Sequence, residues 1–144
     1  MTSFLAQKTS NQNGATGTGS FATYKYDSSL YDNQGEYNPS TGIFTAKTPG
    51  KRSFSCTLFM SGLGASNTNC GAAFVRNGSE YHHFSVLNGA NSRADTGGLG
   101  LSGSISLFLN TGDTVQVQAY SGGSSLSVNF DSGANSMLSG QKLE

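Results

Sequence analysis

Charge is scarce in this chain of 144 residues. Only 11% of the residues are charged, and eight acidic residues cancel eight basic ones, so the formal net charge is zero. A nucleic-acid-binding protein usually carries a basic stripe that neutralises phosphates, and a peripheral membrane protein usually carries a basic amphipathic face. The composition argues against both kinds of partner. A surface without net charge is instead typical of subunits that assemble with one another.

Long apolar runs are also missing. No stretch approaches the roughly 18 consecutive apolar residues of a membrane-spanning helix. The opening MTSFLAQKTS lacks the apolar run of a secretory signal peptide. We therefore expect no membrane insertion and no export signal in this chain. The expected location is a virion or an extracellular surface, reached as part of a longer protein or by another route, such as inside a virus particle.

Cysteine and histidine are too few for a scaffold or a metal centre. Cys56 and Cys70 have neither zinc-ligand spacing nor a CxxC redox pattern, and two thiols do not make a disulfide framework. We interpret them as small buried side chains. His82 and His83 are adjacent, so in a strand they point to opposite faces and cannot chelate one metal together.

What the chain does contain is short runs of β-branched and aromatic residues between turn signals such as DNQG, NPSTG, RNG and NTGD. Glycine, with 20 residues, recurs too often for a useful helix. The pattern predicts an antiparallel sandwich of about ten short strands, a single domain over residues 1–144 whose first twenty residues form a strand and a polar loop. The residues expected to face the core are Phe54, Cys56, Leu58, Met60, Ile105, Leu107, Leu109, Val115, Val117, Ala119, Leu126, Val128 and Phe130.

Three local patterns carry further predictions. NTGD and the pair Asn77-Gly78 are each interpreted as hairpin turns. GLGLSG, from Gly98 to Gly103, matches the dinucleotide fingerprint literally, but a strand pattern follows where that site needs a helix. We therefore interpret it as an inter-strand loop. Phe59 points with serines to the outer face, as an isolated surface residue in a monomer or as a contact in an oligomer.

The segment YDSSLYDNQGEYNPSTGIFTAKTPGKRSFSC, residues 26–56, resembles the globular head of complement C1q and its relatives, the C1q/TNF-like domains. The resemblance extends over about residues 20–143. It rests on the spacing of aromatic, acidic and glycine positions, on SISLFLNTGDTVQVQAY, which is similar to the late hairpin of the family, and on NSMLSGQKL, which is similar to its closing strand. The matching positions of the first segment are Tyr26, Asp32, Tyr37, Phe44, Gly50 and Phe54.

The resemblance implies a ten-stranded jelly-roll sandwich that assembles as a homotrimer and serves as a recognition head. No Gly-X-Y repeat accompanies it, so this chain encodes no collagen stalk. With its Asn-, Ser- and Gly-rich surface, the chain looks similar to phage or bacterial versions of the head. It departs from the usual family residues at four positions, which are Arg52, Cys56, Leu138 and Lys142.

No GxSxG elbow or HExxH pair supports catalysis, and we expect a non-enzymatic protein with no cofactor. Flat rings suit the apolar faces of pyranose sugars, although packing against neighbouring strands is the alternative for each ring. The polar loop from Asn88 to Gly103 is either a binding loop or a linker without a partner. The candidate ligand-binding residues are Tyr81, His82, His83, Arg93, Asp95 and Tyr120.

Calcium is a further alternative, because some C1q-like heads bind it through acidic loop residues. Asp95, Asp113 and Asp131 are the carboxylates that would supply oxygen ligands. The leading hypothesis is a trimeric head, on a phage fibre or bacterial surface structure, that recognises a cell-surface glycan or protein. The rival is a structural cap or decoration protein that binds nothing else. A secreted cytokine-like ligand is a third alternative, and it would need an export signal.

Overall fold

The computed structural model describes residues 2–123, 127–132 and 136–143, and the regular secondary structure of these residues is almost entirely β-strand. The strands are β1 (Ser3–Gln7), β2 (Gln12–Thr16), β3 (Ala22–Thr23), β4 (Ser28–Asp32), β5 (Tyr37–Asn38), β6 (Ile43–Thr45), β7 (Gly50–Ser61), β8 (Asn69–Arg76), β9 (Glu80–Leu87), β10 (Leu99–Leu109), β11 (Thr114–Gly122), β12 (Val128–Phe130) and β13 (Met137–Lys142). One four-residue helix, α1 (Gly89–Ser92), separates β9 from β10. The strands outnumber the ten expected because several pairings are only two or three residues long.

The first sheet is organised around the long strand β7. On one side, β7 pairs with β10 from end to end, from Gly50 opposite Leu109 to Met60 opposite Leu99. On its other side it pairs with β13 and β12, and the sheet continues from β13 through β1 to β4 and from β12 to β2. All of these pairings are antiparallel.

The second sheet runs in the order β5, β6, β11, β8, β9, with β3 beside the far half of β11. Its pairings are also antiparallel. Strand β11 is the counterpart of β7, because it pairs with β8 along one edge and with β6 and β3 along the other. The inner faces of the two sheets enclose the core between them.

The predicted alternation of core residues is confirmed for the described residues. Phe54, Leu58 and Met60 are 2% exposed or less. An aromatic group forms the centre of the core, in which the Phe4 ring lies 5.2 Å from that of Tyr37 and 5.4 Å from that of Phe44. Ile105 and Leu107, on the edge strand β10, are only partly buried against this core, while Leu126 lies outside the described residues.

Arg52, one of the four departures from the family pattern, is accommodated by a buried ion pair between the sheets. Its guanidinium donates to both carboxylate oxygens of Glu36 at 3.0 and 3.2 Å, and both side chains are 2% exposed. The carbonyl of Thr48 accepts a further bond at 2.9 Å, and the guanidinium lies 5.3 Å from the Phe44 ring centre. The buried arginine therefore has a carboxylate partner and an aromatic neighbour, while its Nε has no hydrogen-bond partner among the described residues.

Both cysteines are free and buried, as interpreted from the sequence. Burial raises the pKa of Cys56 to about 12, so its thiol stays protonated at neutral pH. The Cys70 thiol lies 3.2 Å from the Ser121 hydroxyl, inside the second sheet.

One of the two predicted hairpins is confirmed and the other is wrong. Asn77 and Gly78, with φ of 52° and 74°, form the tight turn that joins the paired strands β8 and β9. NTGD does form a turn, since the Asp113 amide donates to the carbonyl of Asn110 at 3.0 Å. However, this turn joins β10 in the first sheet to β11 in the second. Turn residues specify a reversal of direction, but not whether the next strand pairs with the previous one or crosses the sandwich.

The predicted loop from Asn88 to Gly103 is also shorter than expected, because its last part lies in β10. Two glycines in this segment let aromatic side chains lie close to the backbone. A Cβ on Gly98 would lie 2.5 Å from the Phe59 ring, and a Cβ on Gly103 would collide with Phe84. Phe59 is thus partly covered by β10. At the N-terminal end, the polar segment expected as a loop contains β2.

Candidate functional site

Four aromatic side chains meet on the outer face of the second sheet, and we call this group the aromatic roof. It consists of Phe21, Tyr81, His83 and Tyr120. The Phe21 ring centre lies 4.6 Å from that of Tyr120, 4.9 Å from that of Tyr81 and 5.7 Å from that of His83. Phe21 therefore joins rings contributed by β9 to a ring contributed by β11.

The roof covers small residues of β8. Ala73 and Val75 point away from the core and are nevertheless 0% exposed. Gly71 lies opposite Tyr120 in the register, and a Cβ on Gly71 would come within 2.6 Å of that ring. The absence of a side chain at Gly71 lets the Tyr120 ring lie against the backbone. The alternative considered for these rings was packing against neighbouring strands. The side of the roof that faces β8 is packed in this way.

A chain of hydrogen bonds fixes the roof to the sheet. The Tyr81 hydroxyl, on β9, donates to Oε1 of Gln118 on β11 at 3.2 Å, so the side chain reaches across β8. Nε2 of Gln118 donates to Oε1 of Gln116 at 3.2 Å, and the Thr23 hydroxyl donates to the same oxygen at 2.6 Å. The Tyr120 hydroxyl donates to Oδ1 of Asn69 at 3.3 Å. The rings are held by uncharged amides and hydroxyls.

The structure brings together three of the six candidate residues, namely Tyr81, His83 and Tyr120. His82 faces the other way and its Nε2 lies 2.8 Å from Oε1 of Glu80. Arg93 follows α1, where its amide donates to the Gly89 carbonyl at 2.9 Å. Asp95 is exposed in the connection to β10.

Phe21 is the roof residue that the sequence interpretation missed. It stands in a polar, glycine-rich stretch with no apolar neighbour pattern of its own. Its position depends on the pairing of the next residue, Ala22, with Ala119 of β11, which places it next to Tyr120. Only the alternation within FATYKY offered a signal that this stretch is extended.

The outer face of the first sheet has a different character, and we call it the serine face. Small hydroxyl side chains oppose one another across β7 and β10, in the pairs Ser53 with Ser106, Ser55 with Ser104 and Thr57 with Ser102. On the other side of β7, Ser55 pairs with Ser139 of β13. The side chains that define the serine face are Ser53, Ser55, Thr57, Ser102, Ser104, Ser106 and Ser139.

Larger side chains border two shallow grooves on this face. One, of about 350 Å³, is lined by Leu5 and Met137 together with serine-face residues. The other, of about 430 Å³, lies beside Tyr31 and Gln141. Tyr31 is 48% exposed and Met137 is 36% exposed. The face is therefore mostly small and uncharged, with apolar side chains beside its grooves.

The three carboxylates considered for calcium do not form a cluster. Among the described residues, no group of three His, Cys, Asp or Glu side chains is arranged to hold a metal ion. Asp113 accepts hydrogen bonds from the Asn110 amide at 2.8 Å and from Nδ2 of Asn77 at 3.1 Å, and the Arg76 guanidinium lies 3.3 Å away. These donors, the Asn110 amide first, lower the pKa of Asp113. Its oxygens join two turns of the sandwich.

The two antiparallel sheets form a jelly-roll sandwich of the C1q/TNF type. Residues 3–141 match the C1q domain. The chain belongs to the C1q domain family. No curated protein sequence matches it. In the part of the chain that the structure describes, no helix has the length and apolar character needed to cross a membrane.

Solved structures show the same fold at low sequence identity. The globular domain of zebrafish complement 1qA protein is 14% identical, with a TM-score of 0.69, and the match covers 100% of this chain and 98% of that one. Murine APRIL is 8% identical, with a TM-score of 0.63 and coverage of 99% and 98%. Eiger TNF from S. frugiperda is 12% identical, with a TM-score of 0.61 and coverage of 99% and 92%.

Proposed function

We propose that this protein is a homotrimeric, non-enzymatic recognition head that binds a glycan or protein on a cell surface. Its place is the outer surface of a virion or a cell, on a phage fibre or a bacterial surface structure. The observation that carries the proposal is the serine face, which is uncharged across neighbouring strands in a chain of the C1q domain family. Lys51, at the end of β7, marks where the uncharged region stops.

The edge of the serine face supports assembly. Strand β10 is an edge strand of eleven residues, with neither Pro nor a charged residue among them. Long edges without such protection tend to pair with, or be covered by, another chain. Phe108, at one end of β10, is 56% exposed. A second copy seated on this face covers both the edge and the exposed ring, and three copies in cyclic arrangement close the assembly.

The oligomeric state tests the assembly part of the proposal. Light scattering should give about 45 kDa, three times the subunit mass of 14.9 kDa. Ser55→Arg places a charge in the middle of the serine face, where its burial without a partner is costly, and should give a monomer. Thr45→Arg is the matched control, because Thr45 is an exposed residue of β6 in the other sheet, and it should remain trimeric. A wild-type mass of one subunit contradicts the proposal.

Cell-binding assays test the recognition part. Labelled trimer should bind whole cells of a susceptible host and immobilised glycans or surface proteins from them. The structural alternative, a trimeric cap or decoration protein, uses the serine face in the same way but binds nothing else. Deleting the gene separates the two: intact particles that no longer adsorb indicate recognition, whereas broken or unstable particles indicate a cap.

A further inference from the structure

We propose that the aromatic roof is a binding site for an uncharged pyranose sugar. This inference rests on the proposed recognition function and assigns that function to one surface and one ligand class. The roof lies on the second sheet, on the opposite side of the sandwich from the serine face. Copies packed through the serine face would therefore leave the roof open to a ligand.

The roof presents apolar surface to solvent although it also packs on β8. Tyr81 is 40% exposed and His83 is exposed. Val86 extends the same surface, because it lies opposite Gly71 in the row that ends at Tyr120, and it is 67% exposed. An aromatic surface of this kind fits the C–H face of a pyranose ring, which is apolar and similar in size to one side chain.

The polar groups of the roof favour a neutral ligand with many hydroxyls. The Tyr81 side chain is exposed, and its hydroxyl hydrogen is donated to Gln118, while the hydroxyl oxygen keeps lone pairs that can accept from a sugar hydroxyl. The side chains that hold the roof are amides and hydroxyls. A charged ligand would find no opposite charge among them. An uncharged sugar meets rings for its C–H face and acceptors for its hydroxyls.

The geometry of Tyr81 makes this surface a preformed one. Its hydroxyl is tied to β11 while its backbone belongs to β9, so the ring is held across β8 before any ligand arrives. The Phe21 and His83 rings, at 4.9 and 6.3 Å from it, limit its rotation further. A ring that is already ordered loses little conformational entropy when a sugar stacks on it.

The methyl β-glycosides of glucose, galactose, mannose and N-acetylglucosamine serve as probes of this site. Titration of the trimer, followed by amide chemical shifts and by saturation transfer, should show at least one of them binding. The shifted amides should include Tyr81, His83 and Gln118, and saturation should be strongest at the C–H protons of one sugar face.

Two neighbouring histidines provide a matched pair of variants. His83→Ala removes a ring of the roof, whereas His82→Ala removes a side chain on the opposite face of the same strand. Tyr81→Ala should weaken binding about tenfold, the loss expected from one aromatic contact. His83→Ala should also weaken it, and His82→Ala should leave it unchanged. Tyr81→Phe keeps the ring and serves as the control for any perturbation of the sheet by Tyr81→Ala. It should bind more tightly than Tyr81→Ala.

The outcomes separate this inference from the function on which it rests. If none of the four glycosides binds, or if one binds with equal affinity to wild type, Tyr81→Ala and His83→Ala, the sugar site is overturned. Cell binding by the same wild-type trimer would then keep the recognition head and place its contact elsewhere. If the wild type also fails to bind cells, the proposed function fails as well.

Discussion

The outer faces of the two sheets are covered by different kinds of side chain. Each sheet must leave one face away from the core without exposing a large apolar patch. The first sheet covers its outer face with serine and threonine, whereas the second covers small residues of β8 with the aromatic roof. Small hydroxyl side chains leave a surface that another copy of the chain can approach closely. Ordered rings leave a surface that a small ligand can stack on. In the assignment proposed above, the choice of side chains, rather than the fold, distinguishes the assembly face from the binding face.

The largest loss of stability is expected from breaking the ion pair that joins the two sheets. Glu36→Ala leaves the Arg52 charge buried without its partner and should lower the free energy of unfolding by about 3–5 kcal/mol. Both faces should loosen together, as seen in faster hydrogen exchange in β7 and in β8. Denaturant unfolding measures the loss.

Glu80→Ala is the control for that variant. Glu80 forms an ion pair with Arg76 at 3.8 Å, but it is 49% exposed, so its removal should cost about 0–1 kcal/mol. Equal losses for the two variants would mean that the buried pair contributes no more than a solvent-exposed one.

Replacing one glycine on each outer face with alanine should give the next largest difference in stability. Gly71→Ala would place a Cβ 2.6 Å from both the Ser85 carbonyl oxygen and the Tyr120 ring, so it should cost about 1–3 kcal/mol. On the first sheet, a Cβ on Gly100 would come no closer than 3.8 Å to Phe59. Gly100→Ala should therefore change stability by less than about 0.5 kcal/mol. Thermal unfolding of the two variants measures both, and a larger loss at Gly100 would contradict this account of the roof.

The last effect expected is a loss of stability in alkaline solution, and it concerns the core that both faces share. Burial raises the pKa of Cys56 from 9.0 to about 12 and that of Tyr24 from 10.0 to about 12. Both groups ionise more readily in the unfolded chain, so their stabilising contribution is complete below pH 9 and is lost as the pH rises from 9 towards 12. At pH 10, Cys56 alone should account for a loss on the order of 1 kcal/mol.

Cys56→Ala tests the origin of this pH dependence. The variant should be less stable at neutral pH because it leaves a small cavity. Its free energy of unfolding should nevertheless fall less steeply than that of the wild type between pH 9 and 10. Identical slopes would assign the alkaline loss to other groups.

The sequence was informative about the core because the alternation of strand residues is local. Phe54, Leu58 and Met60 are buried as predicted, and Asn77-Gly78 forms the predicted hairpin. The same local reasoning predicted the candidate site only in part, because three of the six candidate residues lie in the aromatic roof. Tyr81, His83 and Tyr120 were selected as flat rings, but nothing local distinguished them from His82, and the only local signal for Phe21 was the alternation within FATYKY.

Side-chain alternation and turn chemistry act over a few neighbouring residues, so the sequence was enough to predict the all-β class, the family resemblance and most of the residues that face inward. Tertiary structure alone decided that the NTGD turn crosses between the sheets, that Glu36 meets Arg52 and that Phe21 meets Tyr81. Glu36 and Arg52 are 16 positions apart in the sequence, and Phe21 and Tyr81 are 60 positions apart. Their strands or flanking segments come together only when the sandwich closes. Which strand pairs with which depends on the total burial of both sheets, a quantity that no short stretch of sequence contains.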